Sequence, residues 1–352
     1  MAKLNEGIGL VVGVQSAEGT INPEVQVATI IANTDDGSVL SANEALGVPI
    51  RDGSLRFDIG RVEDENPVVP GSFTRTPGSF LRAEVSTFQF DLAIKGSGKT
   101  NGNPVLAGDF NLREAMEALL KGAGIIRGTP TTSATPYVLG GASVLTFKVW
   151  RRDSAFTVQD CRIKTVSFKL TPGGIVIATF TVAPGAVALR DPDTFPTSIS
   201  YGSLLSTKAP VLQGAAAQWA AGTVRGFLSG TLTIDNEFEE FPDSNATTGV
   251  INEMTGRRIS WSGPFYNDDT SDTQDFSNLI RESTFANADM RFELGTAQPG
   301  VGAINNSLRF ELEEQVVTAQ KFSEQAGKVV WDLETYATKA ASANGEAVIT
   351  SR

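Results

Sequence analysis

Histidine is absent from this sequence, and Cys161 is its only cysteine. Without histidine, neither a serine triad nor a cysteine–histidine nucleophile can be assembled. No His/Cys metal centre can form, and one cysteine cannot close a disulfide within the chain. Cys161 follows Asp160 at an expected strand start, and its expected role is packing. Positive charge is also in short supply. There are 29 Lys and Arg against 40 Asp and Glu, a formal charge of −11. A grip on nucleic acid through phosphates needs the opposite balance. No run of about 18 apolar residues is present, so no membrane-spanning helix is expected. Met1 to Glu6 lack a basic region leading into an apolar run, so no signal peptide is expected either. These absences point to a protein made and kept in a reducing cytoplasm.

What is there is alternation, and it occurs twice. At 352 residues and 41% apolar, the chain suits two cores of about 150 residues each. Leu55, Phe57 and Ile59 run into an acidic turn from Glu63 to Asn66. In the second half Leu232, Ile234 and Phe238 run into Glu239, Glu240 and Asp243. Phe88, Phe90 and Leu92 match Ile259 and Trp261. A short helix opening on Asp109-Phe110 has its counterpart at Asp275-Phe276. Leu145, Phe147, Val149 and then Val166, Phe168, Leu170 match Met290, Phe292, Leu294 and then Leu308, Phe310, Leu312. The strand from Ile175 to Phe180 matches Val329 to Tyr336. Period-two alternation predicts strands with one buried face. A doubled pattern predicts two similar β-rich units, an arrangement suited to symmetric assembly.

The first expected helix, Leu112 to Lys121, sets Leu112, Ala115, Met116, Leu119 and Leu120 on one face. Asp109 or Asn111 is placed to cap it, and Gly122 or Gly124 to end it. The second runs from Phe276 to Glu282. Residues 8–33 read as a strand or an extended arm, with a loop and a helical turn at Ala42 to Leu46 behind them. Thr129 to Gly141 reads as a loop, and Pro172-Gly-Gly174 as a tight hairpin turn. The expected divisions are an arm and loop over 1–52, a first domain over 53–184, a linker over 185–226 and a second domain over 227–352. The tail from Ser342 is expected to be mobile. The second repeat is expected to carry a longer last hairpin loop, with Glu313 to Gln325 acidic and Gln-rich. It is therefore a candidate interaction loop.

Motifs that suggest chemistry do not hold together. Gly96-Ser-Gly-Lys-Thr100 looks like the end of a phosphate loop, but Ala93 stands where glycine is needed. Pro104 follows where a helix should begin. The acidic pairs Glu239-Glu240 and Asp268-Asp269 are the type used by glycosidases, yet such pairs are ordinary in solvated turns. No enzyme activity and no cofactor is expected.

Order matters more than any single motif. A strand enters Lys95-Gly-Ser-Gly98, and a helix carries Ala118 to Gly124. Strands follow from Phe147 to Arg151 and from Cys161 to Leu170, then a Pro-Gly-Gly turn and Ile177 to Thr181. The second half adds Leu232 to Glu237, Gly249 to Gly256 and Arg257 to Ser260. This succession resembles the tail tube proteins (major tail proteins) of long, non-contractile-tailed bacteriophages, in their duplicated-domain form.

The resemblance implies a mainly β fold with short helices (α+β), built as two tandem tail-tube-like β-sandwich or barrel domains. It implies a structural virion protein of the tail, assembled in the host cytoplasm. Its first partner would be itself, three chains closing a pseudo-hexameric ring and rings stacking into a tube. Tape measure and tail-end proteins are further implied partners, and genomic DNA would pass through the lumen without specific binding. An acidic wall suits a conduit for a polyanion. Candidate inter-subunit contacts are Arg257, Arg258, Glu313, Glu314 and Gln325. The alternative is a β-rich surface-binding or decorating module for carbohydrate or a receptor. An exposed aromatic platform at Trp219 or Tyr266 would favour it.

Overall fold

The alternating runs fold as strands in the computed structural model. It describes residues 8–26, 44–64, 80–85, 87–96, 111–112, 114–151, 154–184, 189–191, 209–211, 217–219, 222–223, 227–242, 250–266, 288–295, 307–325, 328–337 and 347–351. The chain opens with β1 (Ile8–Val14), a short helix α1 (Pro23–Gln26) and β2 (Leu46–Gly47). Then come β3 (Ile59–Asp64), β4 (Phe80–Val85), β5 (Phe88–Ala93) and helix α2 (Glu114–Gly122). β6 (Ile125–Arg127), β7 (Thr135–Leu139), β8 (Leu145–Arg151), β9 (Ser154–Leu170), β10 (Ile177–Ala183) and β11 (Leu189–Asp191) complete the first half. The second half holds β12 (Ala217–Trp219), β13 (Gly222–Thr223), β14 (Gly230–Pro242), β15 (Val250–Tyr266), β16 (Ala288–Leu294), β17 (Leu308–Gln325), β18 (Lys328–Ala337) and β19 (Ala347–Ser351). The fold is mainly β with short helices. Seventeen strands belong to one large sheet, and β3–β4 form a separate pair. Among the described residues no helix is long and apolar enough to cross a membrane.

Strand order is the same in the two halves. In the first, β5 pairs with β10, β10 with β9, β9 with β8, β8 with β1 and β1 with β2. In the second, β15 pairs with β18, β18 with β17, β17 with β16, β16 with β12 and β12 with β13. The irregularities repeat as well. Leu145 faces Cys161 while Phe147 faces Val158, so β9 carries a bulge; Ala288 and Met290 face Gln315 and Leu312 in the same way. Each bulge holds a non-glycine residue in the left-handed region, Asp160 (φ 52°) and Glu314 (φ 50°). A second bulge leaves Lys164 unpaired on β9 and Thr318 unpaired on β17. At these bends both long strands change neighbours. Beyond the bend β9 runs with β10, and β17 with β18.

Several sequence expectations are met. Phe88, Phe90 and Leu92 are buried on β5 while Gln89, Asp91 and Ala93 are not. Leu112, Ala115, Met116, Leu119 and Leu120 are all buried along α2. Gly124 ends that helix at φ 73°, its N–H bonded to the Lys121 carbonyl. At Pro172-Gly-Gly174 the Gly174 N–H closes a turn on Thr171, with Gly173 at φ 71°.

Others need correction. Glu313 to Gln325 is not a loop: it is part of β17, paired with β18 down to Gln325 opposite Lys328. The apparent insertion arose because Phe310 was matched with Phe168. The bulges instead match Phe310 with Phe156, and Phe322 with Phe168. Glu239 and Glu240 lie within β14 rather than in a turn, and Glu63 within β3. Cys161 lies inside β9, buried, its thiol directed at the Val158 carbonyl. Thr129 to Gly141 contains β7, and Leu46 belongs to β2 rather than a helical turn. In the tail, Ala347 to Ser351 form a buried strand between β17 and β7. Of the two alternatives for 8–33, Ile8 to Val14 take the strand, buried against β8. Within 185–226, β11 pairs with β9, and β12 with β16. The segment Phe276–Glu282, where a helix is expected, Asp109, Asp268-Asp269 and Lys99 lie outside the described residues.

Candidate assembly interface

The two halves meet through backbone. Gly230 to Asp235 of β14 pair antiparallel with Leu170 back to Thr165 of β9, continuing one sheet from half to half. Hydroxyls lace the outer face of this joint. Thr165 donates to the Asp235 carboxylate at 2.7 Å, and Ser167 lies 3.1 Å from Thr233. The inner face is apolar. Leu232 faces Phe168, and the Phe168 ring sits 5.2 Å from that of Phe310. A second seam runs beside it, where β19 of the second half pairs with β7 of the first. The hydrophobic core is therefore continuous between the halves.

Asn236 and Arg257 lock the joint. The buried Asn236 amide donates to the Ala123 carbonyl at 3.1 Å and to the Ile163 carbonyl at 3.0 Å. Its oxygen accepts from Arg257 Nε at 2.8 Å, and Arg257 Nη2 donates to the Gly140 carbonyl at 2.8 Å. Burial of so many backbone acceptors demands such partners. Space for the guanidinium exists because residue 124 is glycine: a Cβ there would collide with Arg257 Nη2. These contacts bind the end of α2 and the β7 region to the second half.

A buried polar group sits nearby. Tyr137 reaches Glu117 at 3.5 Å, accepts the Leu112 N–H at 2.6 Å, and Arg127 lies 3.4 Å from Glu117. Desolvation raises the Glu117 pKa above its ordinary value, with Arg127, Lys121 and the Tyr137 hydroxyl opposing it. Burial, and then the Glu117 charge, push the Tyr137 hydroxyl upward. On the second half, Arg291, Glu293, Arg309 and Glu311 form an alternating-charge ladder across β16–β17. Glu293 bonds to both arginines, with Arg309 Nε at 2.8 Å. Burial raises Glu293, but the two arginines outweigh it and hold it below the usual range.

The sequence-derived contact residues fall in different places. Arg257 is committed within the chain, while Arg258 is exposed opposite Asp235. Glu313 and Glu314 occupy the β17 bulge, half-buried, and Gln325 ends that strand. Tyr266 lies half-buried opposite Val330, and Trp219 pairs with Met290. Sequence reading did not single out Asn236, Phe168 or Phe322 as contact residues. Asn236 carries no pattern of its own, and its role depends on carbonyls distant in sequence.

No family model matches the chain, and no curated protein matches it. A chain in a solved structure described as "Virion of native gene transfer agent (GTA) particle" is similar over 34% of this chain and 84% of that chain. The identity is 16% and the TM-score 0.23, too loose for the likeness to carry an argument.

Proposed function

We propose that this protein is a structural subunit of a virion tail, one that forms rings which stack into a hollow tube. The observation that carries the reading is the internal repeat. Two units with the same strand order and the same bulges are joined by β9–β14, a contact between different surfaces of like units. A head-to-tail contact of this kind either continues around a closed ring or runs on as a filament. Gene duplication is the simplest origin for such a repeat, and three duplicated chains would supply six units. The resemblance of the motif order to tail tube proteins gives the assembly its proposed setting. No enzymatic role is part of the proposal, and the net charge of −11 suits a lumen through which DNA slides. Electron microscopy of the purified full chain tests it. Hollow tubes of stacked rings are expected; monodisperse globules at all concentrations would overturn it.

A further inference from the structure

We infer that Ala319 to Glu324 of β17 receive Leu55 to Gly60 of a second copy of this chain as an added antiparallel strand, in the register that joins β9 to β14. The inference rests on the ring reading and specifies the surfaces that close it.

The internal joint is the template. β17 beyond Glu314 corresponds to β9 beyond Asp160, so Ala319–Glu324 correspond to Thr165–Leu170. Residues 55–60 correspond in turn to the start of β14: Arg56 pairs with Gln89 of β5 as Thr231 pairs with Ser262 of β15. In the first half the β9 segment has β10 on one edge and β14 on the other. Among the described residues, the β17 segment has β18 on one edge and no strand on the other. Among the described residues, Leu55–Asp58 likewise have a strand partner on one edge, at Gln89, and none on the other. Each chain thus presents one member of the joint at each end.

The side chains fit. Phe168 is fully buried, whereas its counterpart Phe322 is 74% exposed and touches the Trp331 ring edge-on. Phe168 lies against Phe310, which is fully buried. The counterpart of Phe310 is Phe156, half-buried beside Phe57 at 5.9 Å. Moving the internal joint to the chain's far end seats Phe322 of one copy on Phe156 of the next, facing Phe57. On the opposite face the register sets exposed Asp58 against exposed Lys321, opposite charges where the internal joint has Thr233 and Ser167. An added strand also removes an open sheet edge, a standing liability for a soluble protein.

Paired cysteines test the register. Directly opposed residues on neighbouring strands have Cα atoms about 4.5–5.5 Å apart, within disulfide reach. The full chain carrying Asp58→Cys and Lys321→Cys, oxidised at assembly concentration, is expected to give covalent multimers that end at the ring size. Asp58→Cys with Glu324→Cys, three positions out of register, is expected to remain monomeric on a non-reducing gel, as are the single variants. Phe322→Glu should keep the monomer's circular dichroism and melting temperature while abolishing multimers. Rings under the microscope without the Asp58–Lys321 cross-link would overturn the register and leave the tube reading intact. Absence of both rings and cross-links would overturn both. Assembly of Phe322→Glu at the wild-type concentration would also overturn the inference.

Discussion

Phe168 and Phe322 occupy the same place in the two halves, yet one is sealed in the core and the other stands in solvent. Their strands bend at equivalent bulges and turn into equivalent hairpins. The difference is the neighbour: β14 lies along the β9 edge and, among the described residues, nothing lies along the corresponding edge of β17. The outer faces of the strands just before the bends differ in the reverse sense. Lys148, Trp150 and Ala155 are buried, with Val11 and Val25 of the N-terminal segment packed on Trp150 and Ala155. The corresponding β16–β17 surface carries the Arg291–Glu293–Arg309–Glu311 ladder, with Arg291 and Glu311 each 32% exposed. Matching pairing orders thus carry unequal surfaces, and the contacts of the two halves are not interchangeable.

The largest expected effect separates the two phenylalanines. Phe168→Ala removes a ring fully enclosed between the halves and should cost about 3–5 kcal/mol, as buried aromatic truncations do. Phe322→Ala in the monomer should stay within about 0.5 kcal/mol, the range of surface substitutions. Urea unfolding of both variants under monomeric conditions measures the contrast; similar losses would mean that Phe322 is covered within the chain.

Asn236→Ala sharpens the comparison at the joint itself. It leaves the Ala123 and Ile163 carbonyls and the Arg257 Nε without their partner. A loss of about 1–3 kcal/mol is expected for buried groups left unsatisfied. Amide exchange should speed up at α2 and at β14 together; faster exchange in one half alone would show that the lock does not couple them.

The half-exposed ladder should matter less to folding. Arg309→Ala is expected to cost about 1 kcal/mol or less, and the cost should shrink in high salt because the pairs face water. A larger, salt-insensitive loss would show that the ladder is buried by another contact.

Much of this comparison was legible before the fold. Alternation located most of the long strands, and the apolar stripe located α2. The doubled pattern led to the expectation of two like units. The register between the units was not legible, because period-two alternation continues through a bulge without revealing the residue that has been added. Phe310 therefore looked like the partner of Phe168, and the remainder of β17 looked like an insertion. Asp160 was the one faint signal, since aspartate tolerates a left-handed conformation better than most residues; Glu314 gives none. β7 was hidden by Pro136 in a Thr- and Ser-rich run, and β19 by its five-residue length. The joint itself depends on which edges are covered, and an edge is a property of the sheet rather than of any one strand.

The smallest expected effect concerns Glu117, beside the α2 end of the joint, which the ladder's Glu293 opposes in sign. Burial raises the folded-state pKa of Glu117 above its ordinary value of 4.5. Below 4.5 the carboxyl is protonated in both folded and unfolded chains, and its favourable contribution is fully present. As pH rises through the raised folded value the group must ionise where it is poorly solvated, and that contribution is lost. Glu293 behaves conversely: its depressed pKa contributes stability above the ordinary value, lost as pH falls through the folded one. Glu117→Gln removes the first dependence and leaves the second. The stability of the variant relative to wild type should therefore rise as pH climbs from about 4.5 toward neutrality. Urea midpoints of the two proteins across that interval read the trend directly. A relative stability that falls with pH would show that the ion pair with Arg127 outweighs desolvation, and that Glu117 is held ionised in the joint.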